Sequence, residues 1–216
     1  HADRPLQGVQ ELRGLVRRVL VVAPKGLTPQ WQAEMRLHFS EDFRVLSPAD
    51  FPVMRQVLGE QENFWRSADQ VICSLDSVKP IESRRGWKAA EVAEYNRDRF
   101  DDLVSAGWDL VVIDGADRLA GPNAQVARHK LGAALSEASP YLLLLSATPH
   151  QGKTDAFHRL LTLVDRDAFP DEASVSRERV AQYVIRTEKR AAIDAEGAPL
   201  FKPRQTRMIP VAWADR

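Results

Sequence analysis

The sequence predicts an α/β fold in which a doubly wound, mainly parallel sheet carries helices on both faces. Four short apolar runs, each bounded by turn residues, lie at 19–23, 71–73, 110–113 and 142–145. Unbroken apolarity is typical of strands buried on both faces. Segments of helical period separate these runs, and alternation of strand and helix favours parallel pairing through right-handed crossovers.

The first helix is expected over residues 28–39, directly after the first strand. Its period places Trp31, Met35 and Phe39 on one apolar stripe. Thr28 followed by Pro29 has the pattern of an N-cap and a first-turn proline.

Two further helices are expected in the second half of the chain. One covers residues 124–138 and turns Val126, Leu131 and Leu135 inward, and the other covers 155–164. A charged helical insertion with few large apolar residues is expected at about 84–102. A last strand is expected at residues 206–211, within a basic segment at 187–216 that leads toward another domain.

Composition sets limits on the class of protein. The 216 residues are 44% hydrophobic and carry 30 basic and 30 acidic side chains, so contact with nucleic acid depends on local basic patches. The single cysteine, Cys73, lies in an apolar run; it excludes an internal disulfide and fits packing in the core of a cytoplasmic protein. No apolar run approaches the roughly 20 residues that span a bilayer, so no membrane partner is expected.

Polar residues follow two of the predicted strands. Asp114, Gly115 and Asp117 come at the end of the strand at 110–113, where a carboxylate of a parallel sheet can hold the Mg²⁺ of a nucleotide. An aspartate that caps the next turn has the same pattern. Ser146 and Thr148 follow the leucine strand, where hydroxyls can bind phosphate, water or a neighbouring carboxylate.

These pieces, taken in order, resemble the first lobe of superfamily 2 helicases. Residues 23–34 resemble motif Ia, 74–76 motif Ib, 114–117 the DEAH box and 146–148 motif III, and the segment from Ile185 resembles the end of this lobe. The resemblance covers roughly residues 16–211 and is strongest to the Swi/Snf-related bacterial translocases of the RapA/HepA kind. Several ordered motifs are more specific than any one of them.

The resemblance implies a RecA-like lobe over residues 19–186 that works with ATP, Mg²⁺, double-stranded DNA and a second RecA-like lobe or C-terminal domain. It also implies a protein complex partner and a nucleoid-associated place in the bacterial cytoplasm. Residues 1–18 then correspond to a remnant of, or linker from, the motif I region.

The same resemblance assigns roles to single residues. Asp114 corresponds to the Mg²⁺ aspartate, and Ser146 and Thr148 couple the state of ATP to DNA. Asp117 is expected beside the nucleotide, although it stands where the family has histidine. The DNA contacts implied by position are Pro24, Lys25, Gln30, Ser74, Arg186 and Lys189.

Two departures from the family pattern predict that the isolated chain does not hydrolyse ATP. Gly115 stands where the family has the catalytic glutamate, and it has no side chain to orient water. No Gly-Lys-Thr phosphate loop is legible before motif Ia. The strand that carries this loop is normally central, so its loss leaves two strands without a neighbour unless another segment fills the gap.

Two alternatives remain open from the sequence. One is a pseudo-ATPase lobe that serves as a DNA- or protein-docking module. The other is a nucleotide-binding domain whose phosphate loop is residues 147–154, with Gly152, Lys153 and Thr154 as its ligands. Arg84 and Arg85 can contact phosphates, although solvated surface is the commoner role of such charges.

Overall fold

A computed structural model describes residues 14–59, 62–120, 127–149, 154–186, 192–193, 196–200 and 206. The chain divides into two compact units, His1–Val175 and Ser176–Arg216. The first unit contains the sheet.

The first unit contains one sheet of five strands, all parallel. The strands are β1 (Val19–Ala23), β2 (Arg44–Val45), β3 (Gln70–Ser74), β4 (Leu110–Asp114) and β5 (Tyr141–Leu145), in the spatial order β2-β3-β1-β4-β5. The predicted α/β fold class is therefore confirmed. The four predicted apolar runs lie in β1, β3, β4 and β5.

Helices connect the strands. They are α1 (Thr28–Phe39), α2 (Phe51–Leu58), α3 (Leu75–Val78), α4 (Ala89–Asn96), α5 (Asp102–Val104), α6 (Ala127–Ala138) and α7 (Thr154–Val164), and α8 (Arg177–Val180) lies in the second unit. Short 3₁₀ turns occupy Lys25–Leu27, Pro48–Asp50, Phe64–Arg66, Ala116–Leu119 and Glu172–Ser174.

Register aligns the carboxyl ends of the strands at one edge of the sheet. Ala23 pairs with Ser74, and Asp114 pairs with Leu145 across the next pair of strands. We call this the C-terminal edge. Because β4 and β5 pair directly, no gap separates the strand of the DEAH-like residues from the strand of the motif III-like residues.

The two faces of the sheet are covered unequally. One face carries the larger core, in which Trp65, Leu103, Leu131 and Leu135 are fully buried against the strands. On the other face α1 packs over Val21 and its neighbours. The expectation of helices on both faces holds, but Tyr141 and Leu143 of β5 keep 44% and 48% of their surface exposed.

The opposite, N-terminal edge is fastened by ionic hydrogen bonds. The Asp109 carboxylate accepts from the backbone N–H groups of Arg17 and Arg18 at 2.9 and 2.7 Å. Arg18 also donates to Asp69 at 3.0 Å and lies over the Trp108 ring. These bonds fix the entry of β1 between β3 and β4.

Three details of α1 and β2 differ from the prediction. Thr28 is the first residue of α1 and not its N-cap, because the 3₁₀ turn Lys25–Leu27 runs directly into the helix and the Thr28 hydroxyl donates back to Lys25 O. Phe39 is exposed, since the helix ends at Ser40 in a left-handed conformation. The two-residue strand β2 was missed.

The later elements follow the expected pattern where they are described. Leu131 and Leu135 of α6 are buried, and α7 begins one residue before the predicted start. Val126 lies outside the described residues, as do 207–211 of the predicted last strand, and Thr206 is not in a strand.

The predicted insertion is helical, and it is anchored at its carboxyl end. No residue of α4 is buried, which agrees with an exposed segment. The chain continues through a π-helical turn at Arg97–Asp101 into α5, where Leu103 is fully buried. The indole of Trp65 donates to Asp98 O at 2.8 Å, so this end is held against the core.

In the second unit, α8 begins after Ser176, whose hydroxyl accepts from the N–H of Arg179. An isolated antiparallel bridge joins Ile193 and Pro199.

Candidate functional site

The candidate site lies along the C-terminal edge of the sheet. Pro24 follows β1, Ser74 ends β3, Asp114 ends β4 and Ser146 follows β5. Since all these strands are parallel, the predicted motif Ia, Ib, II and III residues meet at one edge. Ligands of open α/β sheets bind at this edge.

Asp114 is held by a tryptophan from α1. Its Oδ2 accepts a hydrogen bond of 2.9 Å from Nε1 of Trp31. Both residues line a cavity of about 280 Å³ together with Leu27, Gln30 and Glu34. A carboxylate that uses one oxygen for the indole keeps lone pairs for a hard cation.

The contact between Trp31 and Asp114 was missed by sequence reasoning. The helical period placed Trp31 on the inner stripe of α1, and it does pack against the smaller core. Its indole N–H is its only donor, and a half-buried tryptophan usually bonds it to a partner. That partner lies 83 positions along the chain and is not visible from local pattern.

Gly115 adopts the left-handed conformation, with φ 69° and ψ 40°. A Cβ added there would lie 3.5 Å from Cγ of Pro24 and 3.7 Å from Cδ of Arg118, which is ordinary contact. The position therefore has room for a side chain, but its backbone conformation disfavours one. Glycine here fixes the turn into Ala116–Leu119 as well as removing a carboxylate.

Asp117 and Ser146 join the two strand ends. Oγ of Ser146 donates to Oδ1 of Asp117 at 2.9 Å, and Oγ of Ser146 accepts from the N–H of Thr148 at 3.1 Å. The structure thus brings Asp117, Ser146 and Thr148 together, whereas Asp114 turns toward α1. This hydrogen bond links the segment after β4 to the segment after β5.

The predicted DNA-contacting residues are placed differently from one another. Lys25 and Gln30 are exposed beside the edge, and Pro24 is half-buried. Oγ of Ser74 is buried, and it has no hydrogen-bond partner in the described part of the chain. Arg186 is exposed in the second unit, and Lys189 lies outside the described residues.

Two carboxylates at the C-terminal edge suit magnesium. Asp114 and Asp117 supply carboxylate oxygens, which Mg²⁺ prefers. Gly152 and Lys153 of the alternative phosphate loop lie outside the described residues, and Thr154 is the first residue of α7. Within the described ranges, no group of three or more histidines, cysteines and carboxylates could hold a metal by itself.

Two further features bear on the class of protein. Cys73 is fully buried in β3, and burial raises the pKa of its thiol far above the ordinary value. Among the helices that the structure describes, none is long and apolar enough to cross a membrane.

An all-parallel sheet with these residues at its C-terminal edge defines a RecA-like α/β lobe. A family model described as the SNF2-related domain matches residues 5–194. The chain belongs to the family of SNF2-related domains.

Relatives and solved structures agree with this assignment. The chain is 34% identical over 191 residues to the RNA polymerase-associated protein RapA of Photobacterium profundum, covering 86% of this chain and 18% of that protein. It is 34% identical over 164 residues to RapA of Yersinia enterocolitica, covering 75% and 15%. The chain thus spans less than a fifth of the length of these relatives.

The fold is similar to a solved Sulfolobus solfataricus SWI2/SNF2 ATPase core in complex with double-stranded DNA. The TM-score is 0.50 at 17% identity, over 77% of this chain and 29% of the other. At this identity the likeness supports the RecA-like fold alone.

Proposed function

We propose that this chain is the first RecA-like lobe of an ATP-dependent double-stranded-DNA translocase, and that it works with Mg²⁺-ATP and a second RecA-like lobe. The observation that carries the proposal is the C-terminal edge itself. There Asp114 stands at the end of β4, and the hydrogen bond between Asp117 and Ser146 ties the ends of β4 and β5.

In this proposal Asp114 is a ligand of Mg²⁺, and Trp31 is its positioning residue. The indole bonds to Oδ2, which restricts the rotation of the carboxylate. Ser146 and Thr148 report the state of the nucleotide, because a shift of the Asp117 segment breaks or strengthens the bond to Ser146. In a complete, hydrolysis-competent motor, hydrolysis of the bound nucleotide would supply the energy of translocation.

DNA lies along the same edge in this proposal. Lys25 and Gln30 are exposed there, and they offer an ammonium and an amide to phosphate oxygens. Such contacts position a motor on duplex DNA without reading its sequence. By their resemblance to family positions, Arg186 and Lys189 are proposed as further DNA contacts.

Hydrolysis by the isolated chain is expected to be absent. Gly115 offers no general base, and general acid–base catalysis typically contributes about 10²–10⁴-fold in rate. The relatives are named RNA polymerase-associated proteins. We extend to this chain a cytoplasmic, nucleoid-associated location and a protein complex partner.

The test is DNA-stimulated phosphate release by a protein that joins this chain to a Gly-Lys-Thr phosphate loop before it and to a second RecA-like lobe after it, so that position 115 is the one departure left. With Gly115 present, release is expected to stay near background with or without duplex DNA. Gly115→Glu is expected to raise the DNA-stimulated rate by roughly 10²-fold or more. Adding Asp114→Asn to that variant is the control and returns the rate to background.

Two results would change this account. Stimulated hydrolysis with Gly115 in place would support the translocase lobe but contradict the expected silence, because it would show that the chain does not need a glutamate there. A silent Gly115→Glu variant that still binds DNA would favour the second candidate, a pseudo-ATPase docking module. The left-handed backbone of Gly115 favours that candidate, because a glutamate introduced there is strained.

A further inference from the structure

A cationic turn projects from the insertion between β3 and β4. Residues 84–88, here called the arginine turn, carry Arg84, Arg85 and Lys88, all exposed. The N–H of Trp87 donates to Arg84 O at 3.0 Å, and Gly86 has φ 82°. A four-residue turn with a positive φ at its third position is a type II turn, which requires glycine there.

The arginine turn is held from both sides. Before it, the Asn96 side chain accepts from the N–H of Ile81 at 2.9 Å and donates to Ile81 O at 2.8 Å. After it, the N–H of Lys88 donates to Glu91 at 2.7 Å, which fixes the start of α4. The turn is therefore a built feature and not the free end of a loop.

Aromatic rings fix one of the guanidinium groups. The Arg84 guanidinium lies 4.4 Å from the centre of the Trp87 ring. The Trp87 and Tyr95 rings pack edge to face, with their centres 5.6 Å apart. Arg99 covers Tyr95 at 3.8 Å. Stacking leaves the N–H groups at the edge of a guanidinium free to donate, and it lowers the entropy lost on binding phosphate.

The carboxylates near the arginine turn are engaged by other groups. Glu82 accepts from Lys130 at 2.7 Å, and Asp98 pairs with Arg55. In the described ranges no carboxylate forms an ion pair with Arg84, Arg85 or Lys88. The Glu91 carboxylate accepts from the backbone N–H of Lys88, and the three cationic side chains of the turn are exposed to solvent.

Topology directs the arginine turn toward the C-terminal edge. The chain leaves β3 at Ser74 and reaches the turn ten positions later. The helical run from Ala89 to Val104, about 24 Å long at 1.5 Å per residue, then returns the chain to the start of β4 at the N-terminal edge. The amino end of that run, beside the turn, is its end nearer the C-terminal edge.

We propose that the arginine turn is a second contact for the phosphate backbone of duplex DNA, separate from the contact by Lys25 and Gln30. The inference rests on the proposed function. In this inference the insertion binds a further stretch of the duplex. Arg84 and Arg85 donate hydrogen bonds to phosphate oxygens, and Lys88 adds a neighbouring positive charge.

The experiment measures binding of the full chain to a fluorescent duplex of random sequence over a range of salt concentrations. Each phosphate contact contributes about 0.9 to the slope of log affinity against log salt. The variant Arg84→Gln/Arg85→Gln is expected to reduce that slope by about 1.8, because two contacts are lost. Trp87→Leu keeps both charges, so it is expected to weaken binding while leaving the slope unchanged.

Arg17→Gln/Arg166→Gln is the matched control. It removes the same charge from two arginines that are 84% and 75% exposed, and it is expected to leave the slope unchanged. The inference is overturned if the two double variants lose equal slope, or if Arg84→Gln/Arg85→Gln loses none. Binding of an acidic protein by the turn would not rescue it. Failure of the unaltered chain to bind duplex DNA, or an unchanged slope for Lys25→Gln, counts against the proposed function instead.

Discussion

At Gly115 the backbone and the missing side chain have separate consequences. The absence of a carboxylate affects hydrolysis, whereas the left-handed φ of 69° affects stability. An L-residue in this region costs roughly 1–2 kcal/mol. Space is not the obstacle, because the nearest atom to an added Cβ is 3.5 Å away.

Gly115→Ala is therefore expected to lower the free energy of unfolding by about 1 kcal/mol. Gly26→Ala is the control, since Gly26 has no positive φ and an added Cβ there meets nothing within 4 Å. Urea unfolding of both variants measures the difference. Equal stability of the two variants would show that the left-handed conformation at 115 is not required.

Asp109 gives the N-terminal edge a pH dependence. The backbone N–H groups of Arg18 and Arg17 donate to its carboxylate and lower its pKa. A lowered pKa in the folded state means that the carboxylate adds stability above its ordinary pKa of about 3.9, and that this stability is lost as the pH falls through the lower folded pKa.

The unaltered chain is expected to be more stable than Asp109→Asn at about pH 7, with the difference shrinking below about pH 4. Unfolding by urea across this range measures it. A stability difference that grows on acidification would contradict the assigned role of the carboxylate.

At the scale of elements, burial decided what the sequence could predict. β1, β3 and β4 have a buried core of three or more consecutive residues, and such apolar runs are legible without an alignment. β2 has two residues, one of them the exposed Arg44, so no apolar run marks it. The predicted N-cap of α1 was wrong because the 3₁₀ turn Lys25–Leu27 runs directly into the helix.

The candidate site was predictable only in its placement. Strand ends locate Asp114 and Ser146 at one edge, but side-chain directions depend on contacts between distant segments. The bond from Trp31 to Asp114 spans 83 positions, and that from Ser146 to Asp117 spans 29. Gly115 was noted as a lost carboxylate, and its left-handed backbone became visible only in the structure.

The packing of α6 against its neighbours depends on Gly132. A Cβ added there would lie 3.0 Å from Cδ1 of Leu119 and 3.3 Å from Cδ1 of Leu163, and both leucines are buried. Gly132→Val is expected to lower the free energy of unfolding by about 1–3 kcal/mol through overpacking.

Ala138→Val on the same helix serves as the control for that substitution. Ala138 is exposed at the end of α6, so the change costs at most about 0.7 kcal/mol of helix propensity. Thermal unfolding compares the two variants. Similar losses in both would mean that α6 is not closely packed at Gly132.

At the scale of the whole molecule, the two edges of the sheet carry different kinds of side-chain contact. The N-terminal edge is fastened by Asp69, Asp109 and the two arginines before β1. The C-terminal edge carries exposed Lys25 and the linked pair Asp117 and Ser146. Hydrogen bonds fasten the N-terminal edge, and the proposed function assigns recognition to the C-terminal edge.

The central claim is that duplex DNA lies along the C-terminal edge, and site-specific photocrosslinking tests it most directly. Because Cys73 is fully buried, a cysteine introduced at position 25 or 166 can be labelled selectively with an arylazide. Lys25→Cys samples the C-terminal edge. Arg166→Cys samples the region beyond α7, near the N-terminal edge. We predict crosslinks to duplex DNA from position 25 and none from position 166; crosslinks from position 166 alone would contradict the account.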